Sequence, residues 1–222
     1  MILAAGRGAR LHPLTDDCPK PLLQLGPLRL IEYHLLALKR AKVDTVVINV
    51  SWLAGQIIDA LGEGSDYGLK IVYSIEEHQA LETAGGIAKA LPLLGSEVFW
   101  VVNADIFTDF DFSWTPERLN PGDDARLLLT KNPPQNLRGD FSCIEGRLSR
   151  QNLERETFTY CGIGLFRPEF FKGVPHAPTP LAPMLFNSAD RDTLAGEVYT
   201  GVWDDIGTEA RLNARRRLQE PQ

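Results

Sequence analysis

Short β-branched apolar runs alternate with amphipathic stripes through the first half of the chain, and this alternation narrows the fold more than any other feature. The runs are residues 1–5 (MILAA), 45–50 (TVVINV), 69–73 (LKIVY) and 98–103 (VFWVVN). Each is too short for a typical helix and is continuously apolar, as strands covered on both faces are. Between them, residues 30–41 set Leu30, Tyr33, His34, Ala37, Leu38 and Ala41 on one helical stripe, and residues 53–61 do likewise with Leu53, Ile57 and Leu61. Strand alternating with helix predicts an α/β fold, a Rossmann-like, mainly parallel or mixed sheet with helices on both faces. Ligands of such open sheets bind beyond the carboxyl ends of the strands.

After about residue 120 the pattern changes to strand-like segments at 125–130, 140–144 and 159–166, with Glu145-Gly146 as a hairpin turn, so this half adds antiparallel or mixed strands. Residues 208–219 read as a helix with Thr208 as its N-cap and arginines near its end. A charged run of that kind is usually a solvated face. At 222 residues the chain is within the range of one domain. The densest turn-forming stretch, 132–140, marks where a soft internal division is expected.

A formal net charge of −6 argues against nucleic acid as a partner, since a phosphate polymer calls for a basic face. A small anion is still possible where positive charge is gathered locally. Cys18, Cys143 and Cys161 are widely spaced and form no CxxC pair, which predicts reduced thiols in a cytoplasmic protein. Arg7 and Arg10 interrupt the apolar opening before it reaches the length of a signal or membrane segment. No membrane and no protein partner is implied.

That opening leads straight into Leu3-Ala4-Ala5-Gly6-Arg7-Gly8-Ala9-Arg10. Gly6 and Gly8 let the backbone approach a ligand closely and present amide protons to phosphate oxygens, with Arg7, Arg10 and Lys20 as local positive charge. Two familiar phosphate loops fail on spacing: a dinucleotide fingerprint needs a small residue where Leu11 stands, and a Walker loop needs Gly-Lys-Ser/Thr. An ordinary tight turn would account for a bare GxG. Here Pro19 and Pro21 also restrict the backbone on either side of Lys20, which holds that lysine towards one place.

The opening LAAGRGARLHPLT followed by PKPLL resembles the sugar-1-phosphate nucleotidylyltransferase family, matching its signature residue for residue. The resemblance implies the nucleotide-diphospho-sugar transferase type of fold, with residues 1–120 as a nucleotide-binding part and 121–222 as a sugar-binding part of a single domain. It implies that Leu3, Ala4, Ala5, Gly6 and Gly8 hold the triphosphate, that Arg10 and Lys20 contact phosphates, and that one Mg2+ bridges substrate and protein. Asp105, at the end of the run VFWVVNAD, brings a hard carboxylate to the ligand edge of the sheet, as Mg2+ requires. In VWDDIGT the resemblance selects Asp205 over Asp204 as a second metal ligand. Lone aspartates at such positions otherwise cap a turn or face water.

Within ALETAGGIAKAL, Gly85 and Gly86 are expected ahead of a short helix, and the resemblance gives Glu82, Thr83 and Gly85 to the base and ribose pocket. An ordinary helix start is the plainer reading. Many relatives carry a Glu-Lys-Pro segment on the sugar side, and this chain has none between Gly139 and Tyr160. Gly139 and Tyr160 are the sugar candidates by resemblance, although Tyr160 alone reads as a core aromatic. The run LRLIEYHLLAL, the segment DYGLKIVYS before ETAGGI, and the length are most like transferases that use UTP and N-acetylmuramate 1-phosphate in bacterial cell-wall recycling. Guanylyl transfer to mannose 1-phosphate and thymidylyl transfer to glucose 1-phosphate are alternatives. A regulatory homologue that binds nucleotide sugars without turnover would be expected to lose Arg10, Lys20 or an aspartate. Relatives usually carry residues before the first strand, so a short first strand is expected here.

Overall fold

A computed structural model describes residues 1–77, 80–113, 119–152 and 154–219. In chain order its strands and α-helices are β1 (Ile2–Leu3), β2 (Gln24–Leu25), β3 (Leu28–Arg29), α1 (Leu30–Arg40), β4 (Thr45–Val50), α2 (Ala54–Leu61), β5 (Lys70–Ile75), α3 (Glu82–Leu94), β6 (Phe99–Asn103), β7 (Ile106–Thr108), β8 (Ala125–Lys131), β9 (Phe141–Ile144), β10 (Arg147–Arg150), β11 (Thr157–Phe166), α4 (Ala182–Asp190), β12 (Leu194–Val198), β13 (Trp203–Asp205) and α5 (Glu209–Gln219). They form two compact units interleaved in sequence: Met1–Leu81 with Asn103–Trp114 and Val202–Gln222, and Glu82–Val102 with Thr115–Gly201. The turn-rich stretch 132–140 lies wholly inside the second unit.

In the first unit β1, β4 and β5 form a parallel ladder with β4 central, in register Ile2 to Ile48 and Ile48 to Tyr73. Five of the six β4 residues are buried, as a central strand of β-branched residues should be. The opening strand is much shorter than the apolar run 1–5. Its ladder stops because the Ala4 N–H donates to the Asn49 side chain at 2.9 Å. On α1 the buried face is wider than the single stripe predicts and takes in Ile31 and Leu35 as well as Leu30, His34, Ala37 and Leu38. Glu32 holds the start of the helix by accepting the Arg29 N–H at 2.6 Å. A cluster of Leu11, Leu23, Leu25, Leu30, Phe107, Ile206 and Leu212 joins the glycine-rich segment, α1, β7 and α5.

In the second unit the ten-residue β11 runs antiparallel to β6 and β8, while β12 lies parallel to β8. Its register against β8 shifts between Tyr160 and Gly164, where Gly162 takes a φ of 74°. Glu145 and Gly146, with φ of 49° and 78°, make the two-residue turn of the β9–β10 hairpin that the sequence indicates. Gly85 and Gly86 lie inside α3, which begins at Glu82, instead of preceding it. Helix donors in a first turn have no partner within the helix. Here the Ala84 and Gly85 amides find the Thr179 carbonyl at 2.9 and 3.3 Å, which lets the helix start early. Among the described residues no helix is long and apolar enough to cross a membrane.

Candidate active site

The chain organises the first unit around its glycine-rich opening. Gly8 has a φ of 67°, and a methyl group there would meet Lys20 Cβ and Thr15 Cγ2, each at 3.1 Å. Glycine thus supplies both the left-handed turn and the room for the lysine stem. Thr15 Oγ1 donates to the Gly8 carbonyl at 3.0 Å, and Trp52 Nε1 donates to the Thr15 carbonyl at 3.0 Å. The Arg7 guanidinium lies 4.7 Å from the centre of the Trp52 ring. Gly6, Arg7 and Arg10 are exposed.

Lys20 opens a short 3-10 turn, Lys20–Leu22, immediately after Pro19 in an extended conformation. Its side chain is 8% exposed, yet its ammonium donates to Asp105 Oδ2 at 2.6 Å. This is a short, charge-assisted contact between residues 85 positions apart. Asp105 sits at the turn between β6 and β7. The Leu3 carbonyl accepts the neighbouring Ala104 N–H at 3.0 Å, so β1 and the aspartate turn are tied together.

The second aspartate arrives from the far end of the chain. β13 pairs antiparallel with β7, with Asp205 opposite Ile106, and the Ile206 N–H donates to the Asp105 carbonyl at 2.9 Å. Asp205 Oδ2 lies 3.1 Å from Arg211 Nη1, while its neighbour Asp204 pairs with Arg215 at 3.2 Å. A methyl group on Gly207 would stand 3.0 Å from Asp205 Oδ1 and 3.2 Å from Arg10 Nη2, and would clash with Arg211 Nη2. Arg10, Asp205 and Arg211 therefore converge on one glycine. The first unit brings together the backbone of Leu3 to Gly8, Arg10, Lys20, Asp105 and Asp205. The remaining sequence candidates belong to the second unit.

Of these, Glu82 is exposed, with a φ of 55°, Thr83 is half-buried and Gly85 is buried at the start of α3. Gly139 has a φ of 66° and is packed so closely against Asn132 and the Phe158 carbonyl that a side chain would collide with both. Asp140 anchors this corner: its Oδ2 accepts the Tyr160 N–H at 2.8 Å and its Oδ1 accepts from Asn136 at 3.0 Å. Tyr160 is half-buried on β11, and loss of solvent raises its phenol pKa well above the ordinary range.

Three groups in the first unit stand out that sequence reading leaves aside. Asn49 accepts the Ala4 N–H and donates to Glu76 Oε1 at 2.8 Å, and Glu76 Oε2 accepts the Leu81 N–H at 2.7 Å. The Ala4 amide proton is therefore already engaged. His34 is buried on α1, with a ring hydrogen bond to the Ile106 backbone and no partner for Nε2; burial lowers its pKa to about 4. It was legible only as a member of an apolar stripe. Arg211 reads in sequence as one more charge on a basic helix.

Asp105, just before β7, and Asp205, on β13, bring two carboxylates to one corner of the first unit, both with oxygen donors only. Among the described residues no group of three or more His, Cys, Asp or Glu stands close enough to cage a metal. Such a pair fits Mg2+, which commonly takes one or two carboxylates and fills its remaining positions with substrate phosphates and water.

A sequence model of the family described as nucleotidyl transferase matches residues 1–145. The chain is 46% identical to an N-acetylmuramate alpha-1-phosphate uridylyltransferase of Neisseria meningitidis serogroup B, over 98% of this chain and 96% of that one. A protein of the same description from Caulobacter vibrioides is 34% identical over 99% and 96%. The mannose-1-phosphate guanylyltransferase catalytic subunit beta of Drosophila melanogaster is 30% identical, over 93% of this chain but 58% of its own length. Among solved structures, a Bacillus anthracis protein assigned as a glucose-1-phosphate thymidylyltransferase superposes with a TM-score of 0.85 at 22% identity, covering 98% and 93% of the two chains. That likeness bears out the mixed α/β fold read from the sequence.

Proposed function

The chain belongs to the nucleotidyl transferase family, and on that premise we propose that it transfers uridine monophosphate from UTP to N-acetylmuramate 1-phosphate, releasing pyrophosphate. The choice of base and sugar is supported by near full-length similarity to two proteins named for that reaction. The chemistry is supported by one observation above all: a buried lysine, two aspartates and an arginine gathered around a glycine-rich loop.

In this reading a phosphate oxygen of the sugar 1-phosphate attacks the α-phosphorus in line, forming the new P–O bond as the bond to pyrophosphate breaks. The nucleophile is already an anion, so little proton transfer is required. The obstacle is the approach of two polyanions, which fixed cations and close positioning lower. Lys20 and Arg10 neutralise the phosphates, and the amides of the glycine-rich loop orient them. Asp105 and Asp205 would hold Mg2+, which supplies charge neutralisation and orientation at the phosphoryl oxygens. Glu82, Thr83 and Gly85 would serve base and ribose, and Gly139 and Tyr160 the sugar. The three thiols, two half-buried and one buried, suit a reducing, cytoplasmic setting.

The test is pyrophosphate release from a matrix of UTP, dTTP, GTP and CTP against the 1-phosphates of N-acetylmuramate, glucosamine, glucose and mannose. The greatest kcat/KM is expected for UTP with N-acetylmuramate 1-phosphate; preference for another cell of the matrix reassigns the substrates. Lys20→Ala should lower turnover by about 10²- to 10³-fold, by analogy with removal of one transition-state donor. Near-normal turnover would remove the lysine from the mechanism.

A further inference from the structure

Asp105 and Asp205 each meet the same kind of partner. Asp105 carries the Lys20 ammonium at 2.6 Å, and Asp205 carries the Arg211 guanidinium at 3.1 Å. Arg211 sits in the first turn of α5. Its own N–H is bonded to Thr208 Oγ1 at 3.4 Å at the start of α5, and it lies one turn from Arg215 on the same helix face. The two arginines differ in what else they touch. Arg215 lies 3.9 Å from the centre of the Phe107 ring and pairs with an Asp204 side chain that is 44% exposed. Arg211 and Asp205 are both 24% exposed, and buried Nε and Nη1 of Arg211 have no well-formed hydrogen bond. Asp205 is the principal anion in contact with Arg211, and the bare backbone of Gly207 is what leaves space for the guanidinium.

We propose that Arg211 is a positioning residue that tunes divalent-metal affinity by acting as the built-in counter-ion of Asp205. This rests on the reading of Asp205 as a metal ligand. A cation approaching that carboxylate competes with the guanidinium, just as one approaching Asp105 competes with the lysine. The incoming triphosphate offers Lys20, Arg10 and Arg211 other anions, so phosphate binding frees the carboxylates and metal affinity rises with nucleotide. The arrangement favours capture of the metal as its nucleotide complex over capture of the free ion.

Mn2+ binding to the full chain, followed by the electron paramagnetic resonance of the unbound ion without nucleotide, tests this directly. Arg211→Met should bind Mn2+ roughly fivefold more tightly than the parent, the scale expected for removing a partly exposed competing ion pair. Arg215→Met, which removes the pair with Asp204 and the contact with Phe107 but leaves Arg211 beside Asp205, should match the parent. Asp205→Asn should bind more weakly. If Asp205→Asn weakens binding while Arg211→Met fails to strengthen it, the counter-ion role is overturned and the metal ligand stands. If Asp205→Asn has no effect, the ligand assignment fails and takes this inference with it. Should Arg211→Met not fold, Arg211→Gln removes the same charge while keeping a polar side chain, and absence of tighter binding there overturns the proposal equally.

Discussion

His34 shows how a single buried side chain ties stability to pH. Its pKa of about 4 lies below the 6.5 of a solvated imidazole, because burial disfavours the cation more than the Ile106 hydrogen bond and the Asp105 charge favour it. The unfolded chain therefore takes up the proton first. The corresponding stability is whole above about pH 6.5 and is lost as pH falls towards 4. Urea unfolding at pH 7 and pH 4.5 should show a loss of about 2 to 3 kcal/mol from this group. His34→Asn keeps a donor for the Ile106 carbonyl but does not titrate, and its loss between the two pH values should be smaller by that amount. At this scale, residues with strong local signatures were legible: glycines in a fixed spacing, a lysine between prolines, an aspartate after a buried run. Arg211 and His34 were not, since a helical arginine reads as solvent-facing and a histidine in an apolar stripe reads as packing. Only contacts of the folded chain, His34 with Ile106 and Arg211 with Asp205, distinguish them.

At the scale of elements, legibility followed how much each segment depends on its neighbours. The β-branched run 45–50 became β4 with the same bounds, since its pattern has no competing signal. β12 carries little strand signal because Gly196 interrupts it, and that glycine is required where the Leu148 side chain fills the space a Cβ would take. α3 begins earlier than its sequence suggests, since its glycines weaken helix propensity, a deficit offset by the Thr179 carbonyl and burial. The β9–β10 turn was readable in place yet is not ideal in composition. Glu145 occupies a left-handed conformation that asparagine tolerates better. Glu145→Asn should stabilise the chain by about 0.5 kcal/mol, seen as a higher midpoint in calorimetry. A lower midpoint would mean that the glutamate side chain contributes more than its backbone conformation costs.

For the molecule as a whole, the decisive feature is that one apolar cluster joins segments remote in sequence. Leu11 belongs to the glycine-rich opening, Phe107 and Ile206 flank the two aspartates, and Leu212 lies on α5. Leu212 is fully buried, so Leu212→Ala should cost about 2 to 5 kcal/mol by opening a cavity. Hydrogen exchange offers a sharper check: the amides of Leu11, Ile206 and Leu212 should all gain exchange in that variant, whereas protection of β9 and β10 should change little. Such joining was invisible from sequence, which shows periodicity but not which distant stripes meet.

The three-part first unit also sets an order of events during synthesis. A ribosome delivers the glycine-rich opening and Lys20 early, Asp105 midway, and Asp205 with α5 only after the second unit's last segment has emerged. A nascent chain therefore carries its glycine-rich loop long before the carboxylate and helix that complete that unit. Premature termination anywhere before Val202 yields a polypeptide with an unfinished apolar cluster, a ready substrate for chaperones and proteases instead of a partly working catalyst.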